Sequence, residues 1–206
     1  MLIASDSKKS SVAPLEPDTY PARCVQVIDI GVQKSEAYNT SRRQAMLVFE
    51  IPSERITLDG EDKPRMLAGT YTVSLNPKGT LRKLLESWRG KAFTDAEVKA
   101  FDLKQLINLP CMLSVIQKTS QSGNVFAAIG GVSKYPKNFP PMPDAETTLF
   151  AFDLDTIDDL EKMTVLPDWI QKRIMESETY KELSAEKAAD ESFQNINADD
   201  LPFGND

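Results

Sequence analysis

The chain of 206 residues carries 24 Lys and Arg against 31 Asp and Glu, a net charge of −7, with two cysteines and no histidine. Without imidazole it lacks the commonest general base, the commonest nitrogen ligand for metals and the usual partner of a nucleophilic Ser or Cys. Cys24 and Cys111, each inside an apolar run, are too few for a structural zinc site and read as buried thiols.

The charge is segregated. Residues 1–140 sum to +5 and residues 141–206 to −12, so a basic body is joined to an acidic extension. No stretch approaches the roughly 18 apolar residues of a membrane span.

In chain order, residues 1–17 are polar, lack the apolar core of a secretory signal and are expected to form a flexible leader. Tyr20–Val32, rich in Val and Ile, is a predicted strand. Gln33–Ser41 is a polar loop, and Arg42–Ile51 is a second strand that Pro52 is expected to end. Ala45, Leu47, Phe49 and Ile51 form one side of it; Arg42, Gln44, Met46, Val48 and Glu50 form the other, polar only at its ends. Met66–Leu75 reads as a third strand, with Gly69 at a bulge or bend. Gly79–Arg89 then changes to helical spacing, with Leu81, Leu84, Leu85 and Trp88 on one face and Gly90 as a stop. Thr94 and Glu97 have the spacing of a capping box for a short second helix. Cys111–Lys118 and Asn124–Ser133 are two more strands, five residues apart, as in a hairpin.

This order predicts a mainly β fold: a five-stranded OB-like barrel with a helical insertion between strands 3 and 4, occupying residues 18–140. A small mixed α+β sheet is the alternative. Prolines 136, 140, 141 and 143 mark the end of that body. An acidic, partly helical extension follows over 141–191, with a helix expected from Pro167 to about Lys187, and then a disordered acidic tail over 192–206. The stretch from Phe150 to Trp169 is too apolar for a linker; it either folds back on the barrel or joins protomers of a homo-oligomer.

In such barrels a ligand crosses strands 2 and 3 between two loops. Single-stranded nucleic acid asks for cations along the phosphates and rings beneath the bases. The residues on that path are Lys34 and Tyr38 in the first loop, Arg42, Arg43 and Gln44 on strand 2, Lys78 before the helix, and Lys118 and Phe126 in the last hairpin. Phe49, Tyr71 and Trp88 fall on apolar stripes and read as core, and the charges of the first helix as a solvated face.

The tail holds Asp199-Asp200-Leu201-Pro202-Phe203. Paired acids can meet a basic rim, proline reduces the freedom lost on docking, and phenylalanine is one large apolar anchor. This motif resembles the acidic Asp-Asp-Asp-Ile-Pro-Phe tail of bacterial single-stranded DNA-binding proteins, and the body is similar to phage-encoded members of that class. The resemblance implies an OB-fold protein that coats single-stranded DNA during replication, recombination and repair, and recruits partner proteins through Asp199, Asp200, Leu201, Pro202 and Phe203. It also implies no enzymatic activity, no cofactor and a bacterial cytoplasmic setting. Here Gly204, Asn205 and Asp206 follow Phe203, so this ring lacks the terminal carboxylate of the family motif. The rival readings are a protein-only adaptor, a strand-annealing protein, and a metal-dependent nuclease using Asp153, Asp155, Asp158 and Asp159.

Overall fold

Alternating apolar residues over long runs favour extended chain, and the computed structural model, which describes residues 13–35, 39–58 and 60–194, is mainly β. Strands β1 (Asp18–Ser35), β2 (Thr40–Leu58) and β3 (Glu61–Thr72) form a meander, and β4 (Pro110–Thr119) and β5 (Val125–Lys134) a hairpin. Between β3 and β4 lie α1 (Thr80–Arg89), α2 (Asp95–Lys99) and a 3-10 turn. A short β6 (Phe150–Phe152) precedes α3 (Asp159–Lys162), α4 (Asp168–Met175) and α5 (Glu178–Gln194).

The sheet runs β3-β2-β1-β4-β5, antiparallel throughout, with β6 added parallel to β1. It does not close into the expected barrel, because β3 and β5 form no ladder. They meet through side chains instead: a Cβ placed on Gly69 of β3 would lie 3.0 Å from Ile129 Cδ1 of β5. Gly69 therefore marks a close approach; pairing of β2 with β3 is continuous there, without the expected bulge.

β1 is the spine. Its first part pairs with β4 from Asp18↔Val115 to Arg23↔Pro110, and the same edge then takes β6 from Gln26↔Phe150 to Ile28↔Phe152. A register shift between Asp29 and Val32 contains Gly31 at φ +72°, a conformation that disfavours any residue with a Cβ.

Two cores lie on the two faces of β1 and β2. Ala22, Leu47, Phe49 and Ile51 pack with Leu81, Leu84, Leu85 and Trp88 of α1 in the first, as the alternation of β2 and the helical spacing of α1 predicted. Val25, Ile28, Ile30, Met46 and Val48, from the opposite face, pack with Phe152, Leu154, Met163, Leu166, Ile170 and Ile174 in the second. The extension thus folds back on the sheet. Its entry is pinned by polar contacts: Arg23 donates to the carbonyls of Met142 (3.2 Å) and Pro143 (2.7 Å), and buried Glu50 accepts from the N–H groups of Glu146 and Thr147.

Other boundaries moved for local reasons. Leu15, placed in the leader by sequence, is buried in the first core, and its carbonyl accepts from Gln117 Nε2 at 3.2 Å. The packed body therefore starts before Asp18. Pro52 does not end β2; the ladder slips between Ile51 and Arg55 and resumes, which accommodates a residue with no N–H to donate. The helix expected from Pro167 is two helices, because buried Ser177 caps α5 by accepting from Tyr180 N at 3.0 Å. The Thr94–Glu97 capping box forms as expected. Cys24 and Cys111 are buried and free, and burial pushes the Cys24 thiol up to about 12. Among the described residues no helix is long and apolar enough to cross a membrane.

Candidate nucleic-acid interface

The turn that leaves β3 is stapled by its own residues. Gly79 N donates to the Asn76 carbonyl at 2.8 Å, and Lys78 N to Asn76 Oδ1 at 3.0 Å. This turn delivers Lys78 and the first residues of α1 to the end of the β2–β3 ladder, where Arg42 and Thr72 lie. Together they bound a groove of about 530 Å³ lined by Arg42, Thr70, Tyr71, Thr72, Lys78 and Thr80, among others. The first N–H groups of a helix have no intrahelical acceptor, and α1 has no acidic residue in its first turn and no side-chain cap. Its positive end therefore faces the groove uncompensated.

A second groove of about 240 Å³ runs between α1 and β5 and shares Tyr71 and Thr80 with the first. It brings in Lys83 and Ser87 from α1 and the Ile129–Val132 stretch of β5, so the joined grooves follow the open seam of the sheet. No carboxylate lines either groove among the described residues. Tyr71 sits at their junction. Its ring leans over Gly69, where a Cβ would meet the phenol oxygen at 2.6 Å, and burial pushes its hydroxyl up to about 12. The phenol is a neutral donor at physiological pH.

The sequence-predicted residues divide. Arg42 and Lys78 share the first groove, and neither forms an ion pair among the described residues. Lys34 is exposed at the same end of the β1–β2 ladder, one pair beyond Gln33↔Arg42. Lys118 and Phe126 are exposed and opposite each other on β4 and β5, but line neither groove.

Arg43 and Gln44 are committed elsewhere. Arg43 pairs with Asp29 and Asp155 and donates to the Leu154 carbonyl at 3.3 Å. Gln44 Oε1 accepts from Arg173 Nη2 at 3.2 Å. Both hold the extension against β2, whose outer face is therefore covered rather than open to a ligand. Tyr38 and Asp199, Asp200, Leu201, Pro202 and Phe203 lie outside the described residues.

Two residues of the grooves were missed from sequence. Tyr71 falls on the apolar stripe of β3 and packs against the first core, and Lys83 lies on the polar side of α1, so each has an ordinary local explanation. Only the apposition of α1 with β3 and β5 brings them together. The four aspartates weighed as a metal site are dispersed: Asp153 pairs with Lys104, Asp155 with Arg43, and Asp159 with Lys162. Among the described residues no three acidic or sulfur side chains converge as a metal site would require.

No protein family matches this chain, and no curated protein matches it.

Proposed function

We propose that this protein binds single-stranded DNA with little sequence preference, in replication or recombination, and that the tail residues Asp199–Phe203 recruit partner proteins. The observation that carries the reading is the convergence of Arg42, Lys78 and Lys83 on two adjoining grooves. None of the three has an ion-pair partner among the described residues. All three are exposed, and solvated cations grouped along a groove without internal partners suit an incoming polyanion, whose condensed counterions they would release.

The strand order, with helices between β3 and β4, supports an OB-like relationship, opened along the β3–β5 seam. The track differs from the usual one. With the outer face of β2 occupied by the extension, the strand follows the end of β3 and the flank of α1. Binding involves no bond making: cations neutralise phosphates, rings stack on bases, and affinity falls with salt. The tail reading rests on the motif alone.

The test is fluorescence anisotropy of labelled oligothymidine and of a duplex of the same length, across a salt series. The expected result is salt-dependent preference for the single strand that weakens in Arg42→Ala and Lys78→Ala. Absence of binding to the single strand at low salt overturns the proposal.

A further inference from the structure

We propose that Trp169 is a base-stacking residue, so that α4 of the C-terminal extension extends the single-strand track beyond the groove. The inference rests on the single-stranded DNA reading above. α4 buries Ile170 and Ile174 in the second core and leaves Trp169 58% exposed. The other tryptophan, Trp88, is a core residue whose Nε1 donates to the Pro110 carbonyl at 2.9 Å. An indole with more than half its surface in water is costly unless something covers it.

Its neighbours state what would cover it. Residues four apart on a helix share a face, so Trp169 lies one turn from Arg173. The Arg173 guanidinium reaches down to β2 and β3, donating to Thr70 Oγ1 at 3.3 Å and to Gln44 Oε1 at 3.2 Å. Thr70 is itself a wall of the Arg42–Lys78 groove. Lys78, Arg42 and Thr70 line the groove, Thr70 accepts from Arg173, and Trp169 lies one helical turn from Arg173. Beyond Thr70, the same face of β3 exposes Ala68 and Met66.

The local charge fits the same occupant. The extension as a whole is strongly acidic, yet α4 sets Lys172 and Arg173 against Asp168 alone. Lys172 is exposed and makes no ion pair among the described residues. Cations one turn from an exposed ring are the pairing that a phosphate backbone and its unstacked bases require. A protein partner seated on Trp169 is the competing occupant, and the experiment separates the two.

The full chain is titrated with oligothymidine while intrinsic tryptophan emission and the anisotropy of a labelled oligonucleotide are read in parallel. Trp169→Phe, Trp169→Ala and wild type are compared, with mass in solution measured by light scattering. The expected result is quenching of wild-type emission, largely lost in Trp169→Phe while affinity stays within about twofold. Trp169→Ala should lose about tenfold in affinity with unchanged unfolding midpoint. Wild-type binding by anisotropy without quenching, and with Trp169→Ala unaltered, overturns the role of Trp169 and leaves the DNA reading standing. A smaller mass for Trp169→Ala with unaltered DNA affinity also overturns it, in favour of a protein contact. No binding by anisotropy at low salt removes both.

Discussion

The backbone N–H of Thr147 donates to Glu50 Oε2 at 2.7 Å, and that of Glu146 to Glu50 Oε1 at 3.1 Å, around a side chain with no exposure to solvent. One carboxylate thus fixes where the extension enters the outer face of β2. Glu50→Ala leaves two N–H groups without their acceptor and should cost about 2–4 kcal/mol. Glu50→Gln retains an acceptor and should cost less. Urea midpoints at constant slope measure both, and a loss under half a kcal/mol for the alanine variant would refute the anchor.

Arg42 and Arg43 are adjacent in sequence and opposite in role. Arg42→Ala should lower the log–log salt slope of oligothymidine binding by roughly 0.7, the value for one lost phosphate contact, and leave thermal stability unchanged. Arg43→Ala should do the reverse, because Asp29 and Asp155 hold that guanidinium. A loss of about 1–2 kcal/mol is expected, since Asp29 is nearly buried while Asp155 is exposed. Equal slopes for wild type and Arg42→Ala would remove Arg42 from the interface.

Gly31 is at φ +72°, and a Cβ there would meet Ser177 Oγ at 2.7 Å and Leu154 Cδ2 at 3.1 Å. Both neighbours are buried, so neither has room to withdraw. Gly31→Ala combines backbone strain with overpacking and should cost about 2–4 kcal/mol. Gly123→Ala is the control: its φ is +84° but nothing lies within 4 Å, so strain alone, about 1 kcal/mol, is expected. Similar calorimetric shifts for the two variants would contradict the packing argument.

Asp159 supplies a pH dependence. Burial alone would raise its carboxyl, but Lys162, Thr156 and the Asp155 N–H outweigh that and hold it at about 2, below the ordinary 3.8. A depressed carboxyl stabilises the fold above its unfolded value, and that contribution fades as pH falls from about 4 to 2. Asp159→Asn should cost about 1–2 kcal/mol at pH 7 and almost nothing near pH 2. The gap between variant and wild-type denaturation midpoints, followed from pH 7 downward, checks the sign; a gap that widens in acid would be the wrong one.

Local features were readable in the sequence because their causes are local. The Thr94–Glu97 capping box, the apolar face of α1 and the two-sided alternation of β2 depend on residues within a turn or a strand. The partners of Arg43 and Gln44 do not: Asp155 lies 112 residues away and Arg173 lies 129 away. Without them both side chains look like free groups on an open strand. One clue was present, since Met46 and Val48 make the outward side of β2 apolar, and an apolar sheet face in water calls for a cover. The open seam between β3 and β5 left no comparable trace, because a missing ladder between distant strands changes neither the alternation nor the turns of either one.

The pairing of Gln26 with Phe150 also sets an order of events during synthesis. β1 leaves the ribosome early, but the strand that lies beside its second half and the helices that cover Val25, Ile28 and Ile30 are made more than a hundred residues later. At typical elongation rates of about 5–20 residues per second, that apolar face waits for several seconds or longer with no native partner. The first core, built from β1–β5 and α1, has its residues available well before then. The growing chain therefore passes through a stage with one finished hydrophobic face and one bare one, in which holding chaperones and premature self-association compete for the same surface.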